Sequence, residues 1–128
     1  MLGTIFTADA ARAENDKLSC LGAFWTVTKA GPVLADVAFV LRLDDTEVDI
    51  KHPVKLALIA VNESEPVLEV IAEIKVSRNP GDHPGPAVAT IAVPIGRIEM
   101  KAGSYAWRLD VSGQLLDEWH FVVQQRSE

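Results

Sequence analysis

The sequence predicts an all-β fold: a two-sheet antiparallel sandwich of about seven strands, with a small barrel as the alternative arrangement. Three observations lead there. Apolar residues recur with period two in several separate stretches, turn-forming residues divide those stretches, and only residues 8–17 have a composition compatible with a helix. The chain has 128 residues, 48% of them hydrophobic and 23% charged. That is the size and composition of one globular domain over residues 1–128, and not of a disordered tail.

Taken in order, residues 8–17 (ADAARAENDK) form the one helix-compatible stretch, which is short and is broken at Asn15-Asp16. Two strands follow at 18–28 and 33–43, separated by Lys29-Ala30-Gly31-Pro32. Residues 54–61 (VKLALIAV) are nearly continuous in apolar side chains, as a central strand covered on both sides would be. The polar turn 62–66 leads into 67–76, where Leu68, Val70, Ala72, Ile74 and Val76 alternate with Glu69, Glu73 and Lys75. This pair reads as a hairpin with one buried face. The segment 78–87 (RNPGDHPGPA) holds three prolines and two glycines, which suits a surface loop crossing from one sheet to the other. Residues 88–95 make another strand, which Pro94 confines to an edge or a strand end. Finally Tyr105, Trp107, Leu109 and Val111 share one face, Ser112-Gly113 makes a tight turn, and Leu115, Trp119, Phe121 and Val123 resume the apolar side.

Charge excludes several function classes. The formal net charge is −6, and each half of the chain carries 6 basic and 9 acidic residues. With no basic tail or stripe, neither nucleic acid nor an anionic membrane is an expected partner. The opening residues lack a basic stretch and meet Asp9 early, so a secretory signal is not expected, and the bulky Leu2 should retain Met1. No run approaches the ~18 apolar residues of a membrane span. Synthesis in the cytoplasm follows as the expectation. Cys20 is the single cysteine, which excludes an internal disulfide and any multi-cysteine metal site, and reads as a small core residue.

Candidate chemistry is sparse. Asp44, Asp45, Glu47 and Asp49 form the densest charge cluster, but a helix–loop–helix calcium site would need Gly where Asp49 stands and Glu where Lys55 stands. A looser calcium site or a solvated acidic turn both fit the cluster. His52, His83 and His120 lie at no ligand spacing, and there is no nucleophile elbow or glycine-rich phosphate loop. The expectation is therefore a protein that is not an enzyme and has no cofactor and no metal. Among the tryptophans, Trp107 and Trp119 fall on the inner phase of the last hairpin. Phe24 and Trp25 are adjacent, so in a regular strand one of them faces away from the core.

The residues Ala8-Asp9-Ala10-Ala11, Asn15-Asp16-Lys17-Leu18 and Leu21-Gly22-Ala23-Phe24-Trp25 resemble the opening of a family of small bacterial and bacteriophage proteins of unknown function. His52-Pro53, the proline- and glycine-rich middle loop and Gly103-Ser104-Tyr105-Ala106-Trp107-Arg108-Leu109 extend the resemblance over most of the chain, with Ala23 standing where the family has a second glycine. The resemblance implies an immunoglobulin-like β-sandwich without a known catalytic residue. The expected function is that of a non-catalytic structural or interaction module, most specifically a bacteriophage virion component such as a capsid decoration or minor capsid protein. Its contact surface would draw on Phe6, Phe24, Trp25 and the loop residues Asn79, Asp82 and His83. Its partner would be itself or a capsid or tail protein, and it would be incorporated into a virion after synthesis. The alternative is a small-ligand or glycan-binding module built on an outward Trp25 and the acidic groups of 44–49.

Overall fold

The computed structural model describes residues 1–14, 17–78, 81 and 85–126. Among these residues there are ten strands and no helix: β1 (Leu2–Ala8), β2 (Ala10–Glu14), β3 (Lys17–Leu21), β4 (Val27–Lys29), β5 (Gly31–Leu43), β6 (Lys51–Ala60), β7 (Leu68–Lys75), β8 (Ala87–Met100), β9 (Gly103–Val111) and β10 (Gln114–Gln124). They form a three-stranded sheet in the order β1-β5-β8, a five-stranded sheet in the order β4-β10-β9-β6-β7, and a separate β2-β3 hairpin. Both larger sheets contribute to one buried cluster, with Ile5, Val37, Phe39 and Leu41 from the first and Val54, Leu56, Trp107, Leu109 and Phe121 from the second.

The later strands follow their sequence pattern closely. In β9, Tyr105, Trp107, Leu109 and Val111 are buried, and Ser112 and Gly113 turn the chain with φ of 52° and 81°. Two successive positive φ values give the turn a twist that matches the strands it joins. The segment 78–87 connects β7 of the five-stranded sheet to β8 of the three-stranded one, and β8 is an edge strand, which is where Pro94 is tolerated. Strand β6 is buried on one face rather than two: Val54, Leu56 and Leu58 face the core, whereas Pro53 and Lys55 are exposed and only Ala57 is covered on the other side.

The first thirty residues depart most from expectation. Residues 2–8 form a strand not anticipated from the sequence, because Ile5, Phe6, Thr7 and Ala8 are all buried and leave no alternation to read. The helix-compatible stretch is instead the end of β1 followed by β2, its small residues paired across to β3 (Ala11 opposite Cys20, Ala13 opposite Leu18). Asn15 and Asp16 lie outside the described residues. The expected strand at 18–28 is split into β3 and β4 by a turn that carries Gly22 and Phe24 at positive φ. Ten strands therefore replace about seven. Cys20 sits half-buried in the peripheral hairpin and not in the core.

Strand β1 lies close against β9 and β10 of the facing sheet. A Cβ on Gly3 would come within 3.0 Å of Leu116 Cδ1 and 3.1 Å of Leu109 Cδ2, so glycine sets the spacing there. Opposite β9, β10 has a bulge between Leu115 and Asp117. That extra residue shifts the alternation by one, so Leu115, expected inside, is exposed and Leu116 packs on the core. It also turns Asp117 inward, where its Oδ2 accepts a hydrogen bond from the Ile5 N–H at 2.8 Å.

Trp107 is the largest fully buried side chain, 2% exposed, between Leu58 of β6 and Trp119 of β10. Trp107→Ala is predicted to cost about 3–5 kcal/mol through lost burial and the cavity left behind. Measured by urea denaturation, that loss is a substantial fraction of a typical domain stability of ~5–15 kcal/mol. A variant of unchanged midpoint would remove this residue from the core.

Candidate functional site

The residues between β3 and β4 depart from regular strand backbone. Gly22 has φ of 59°, a left-handed conformation that favours glycine, and a Cβ there would crowd the Asp9 carboxylate. Two residues on, Phe24 also adopts a left-handed conformation, with φ of 64°. The Phe24 N–H donates to Thr7 O at 2.8 Å, and Asp9 N–H donates to Leu21 O at 2.9 Å. These bonds pin the loop to β1. The Trp25 carbonyl accepts two more, from Thr7 Oγ1 at 3.0 Å and Trp119 Nε1 at 3.1 Å.

This geometry resolves which of the two adjacent aromatics faces solvent. Phe24 points outward and is 55% exposed, its ring stacked on Phe6 at 4.3 Å and tilted against Trp119 at 5.7 Å. Trp25 turns inward, edge-on to Phe121 at 5.3 Å, and Phe121 in turn stacks on Tyr105. The Trp25 Nε1 is buried with no acceptor among the described residues. Of the expected contact residues, Phe24 is thus available to a partner, whereas Phe6 is 5% exposed and serves as the base beneath it. Trp25 is part of the packing, so an outward tryptophan platform for sugars is not formed. Asn79, Asp82 and His83 lie outside the described residues. Further exposed apolar side chains flank Phe24 in the chain, Leu21 on one side and Val27 on the other, the latter opposite the exposed Val122. Sequence reasoning missed Thr7 and Trp119 as members of this arrangement. A buried threonine between apolar neighbours and an indole N–H that must find an acceptor were the available signals.

The acidic segment is occupied by contacts within the chain. Asp44 N–H donates to Glu47 Oε1 at 2.8 Å, the Met1 ammonium lies 3.1 Å from the same oxygen, and His52 Nε2 is 2.7 Å from the Glu47 carbonyl oxygen. Asp45 pairs with Arg78 at 3.2 Å, and Asp49 Oδ1 accepts from the Arg78 N–H. Among the described residues no group of three or more His, Cys, Asp or Glu side chains comes together as a metal ion would need. His52 is buried and His120 is exposed beside Glu118, with no nucleophile in contact with either among the hydrogen bonds described. Burial raises the Cys20 thiol above its ordinary pKa, which disfavours the nucleophilic thiolate. Among the described residues no helix is long and apolar enough to cross a membrane.

The Asp44 N–H, and after it the Met1 ammonium, hold the Glu47 carboxyl below its ordinary pKa. A carboxylate with a depressed folded-state pKa contributes stability that is present above its unfolded value and is lost as pH falls through the folded one. Melting temperature should therefore decline on acidification below about pH 4.5. Glu47→Gln should lower it at neutral pH and flatten that acid limb. Parallel pH profiles for the two proteins would refute this assignment.

No curated protein and no solved structure matches the chain. One family of unknown function, DUF6941, matches residues 3–124, which takes in every strand from β2 to β10 and all but the first residue of β1. The span covers both the Phe24 loop and the β1 seam that holds it, so the chain belongs to the DUF6941 family.

Proposed function

We propose that the chain is a non-catalytic interaction module that docks a protein partner through the ring of Phe24. The observation that carries this reading is a bulky aromatic held at positive φ with more than half its surface in solvent. A non-glycine residue in this region costs on the order of 1–3 kcal/mol and persists only where its surroundings over-determine it. Glycine or asparagine at position 24 would avoid that cost, which the ring's contacts with Phe6 and Trp119 offset while more than half of its surface stays free. The stacked base of Phe6 and the flanking Trp119 order the ring before any partner arrives, which reduces the entropy lost on docking. Aromatic side chains, phenylalanine among them, are enriched at protein–protein interfaces.

The chain would act as one module over residues 1–128. Two sheets sharing one core support an immunoglobulin-like sandwich as its form. The setting in a bacteriophage virion, as a decoration or minor capsid protein joined after synthesis in the cytoplasm, rests on the sequence resemblance. There the partner would be a second copy or a capsid or tail protein.

The reading is tested by placing a photo-crosslinking phenylalanine analogue at position 24, with position 34 as control because Leu34 is exposed on the other sheet. A discrete adduct is expected from 24 and not from 34. Phe24→Asn, whose residue tolerates the left-handed conformation, should keep the melting temperature within a few degrees and weaken capture of that partner at least ten-fold. Equal adducts from both positions, or undiminished capture by Phe24→Asn, would overturn the proposal.

A further inference from the structure

The two larger sheets have four outer strands, and three of them are protected against pairing with another chain. The free edge of β1 is met by Asp117 and by the residues around Phe24. Strand β4 has only three residues. Strand β8 carries Pro94 and a bulge between Pro94 and Gly96, and the β2-β3 hairpin packs against it. Strand β7 is different. It runs for eight residues without proline, pairs in unbroken register with β6, and has no strand on its other side among the described residues. Ile71 at its middle is 77% exposed, the largest value among the big apolar side chains. Regular, unpaired edges of this kind recruit another strand unless something opposes it, and the charged residues Glu69, Glu73 and Lys75 of β7 admit only a partner that matches them.

The residues of β7 also specify which strand. We propose that two copies of the chain associate by antiparallel β7–β7 pairing with Ala72 on the twofold axis. In that register Glu69 of each copy faces Lys75 of the other, giving two opposite-charge pairs on one face. On the other face Val70 meets Ile74 and Leu68 meets Val76, extending the half-buried apolar row already packed on the core. Ile71 of each copy stands opposite Glu73 of the other, whose carboxylate is already paired with Lys51, and the two Ile71 side chains approach diagonally across the axis. Antiparallel pairs keep a side-chain face in common only in steps of one full pair, so the neighbouring registers are few. One step places Ile71 on the axis and Glu69 against Glu73; the other sets Glu73 against Glu73. Like charges directly opposite are destabilising, so the charge pattern selects the first register. A lysine on a strand edge ordinarily deters pairing, but Lys75 here meets a glutamate. The isologous result joins two five-stranded sheets into one. It goes beyond the Phe24 reading, since β4 and β7 lie at opposite edges of the sheet and Phe24 stays free.

The test uses sedimentation of the full chain from low to high micromolar concentration, together with cysteine crosslinking in a Cys20→Ser background. A reversible dimer is expected, with Lys75→Glu raising its dissociation constant at least ten-fold and the added Glu69→Lys restoring it. Ala72→Cys should form a covalent dimer on mild oxidation, and Ile71→Cys should do so much more slowly. A monomer at every concentration, a dimer indifferent to Lys75→Glu, or faster crosslinking at 71 than at 72 would each overturn the proposal. None of these results alters the crosslinking expected at position 24, so the two readings fail separately.

Discussion

The free edge of β1 is the constraint around which the rest is arranged. A buried strand needs partners for its backbone on both sides, and β5 supplies only one. The other side is satisfied without a strand: a carboxylate from the facing sheet takes the Ile5 N–H, and the Thr7 carbonyl takes the N–H of Phe24. Each solution demands a local irregularity. Asp117 reaches inward because β10 has a bulge, and Phe24 reaches β1 because the backbone reverses into the left-handed region. Two features that look like defects in their own strands are thus the means by which the two sheets close over one core.

That closure also explains the position of the exposed ring. The backbone that satisfies β1 fixes where Phe24 projects, and Phe6 and Trp119 then floor and flank it. The Trp25 carbonyl accepts from both a β1 hydroxyl and a β10 indole, tying the loop to each sheet at once. A surface built on such a junction is rigid for the same reason the fold is stable. At the opposite edge of the five-stranded sheet, β7 has none of these devices and keeps a regular strand with an ordered charge pattern.

Legibility in the sequence tracks how far each segment obeys a single period. Strands β7 and β9 alternate, and their residues could be placed on faces from spacing alone. Strand β10 is legible until Leu115, where the bulge exchanges the roles of two adjacent leucines with nothing in composition to announce it. Strands β2 to β4 are short, β1 is buried without alternation over residues 5–8, and small residues that would suit a helix pair instead across a hairpin. The choice between Phe24 and Trp25 was posed correctly by their adjacency but rests on a backbone dihedral that spacing does not encode. The acidic turn shows the reverse: its charge density suggests a ligand, while its groups are taken up by Met1, Arg78 and neighbouring backbone.

The hydrogen bond from Ile5 to Asp117 spans a sequence separation of 112 residues. Contacts this distant come with a high loop-closure entropy, whereas the β9-β10 hairpin needs only a two-residue turn. The hairpin can form on the microsecond scale early in folding, and the β1 seam must wait until both sheets exist. The Phe24 ring acquires its base and flank at that last step. A nascent or misfolded chain therefore presents no ordered ring at this surface.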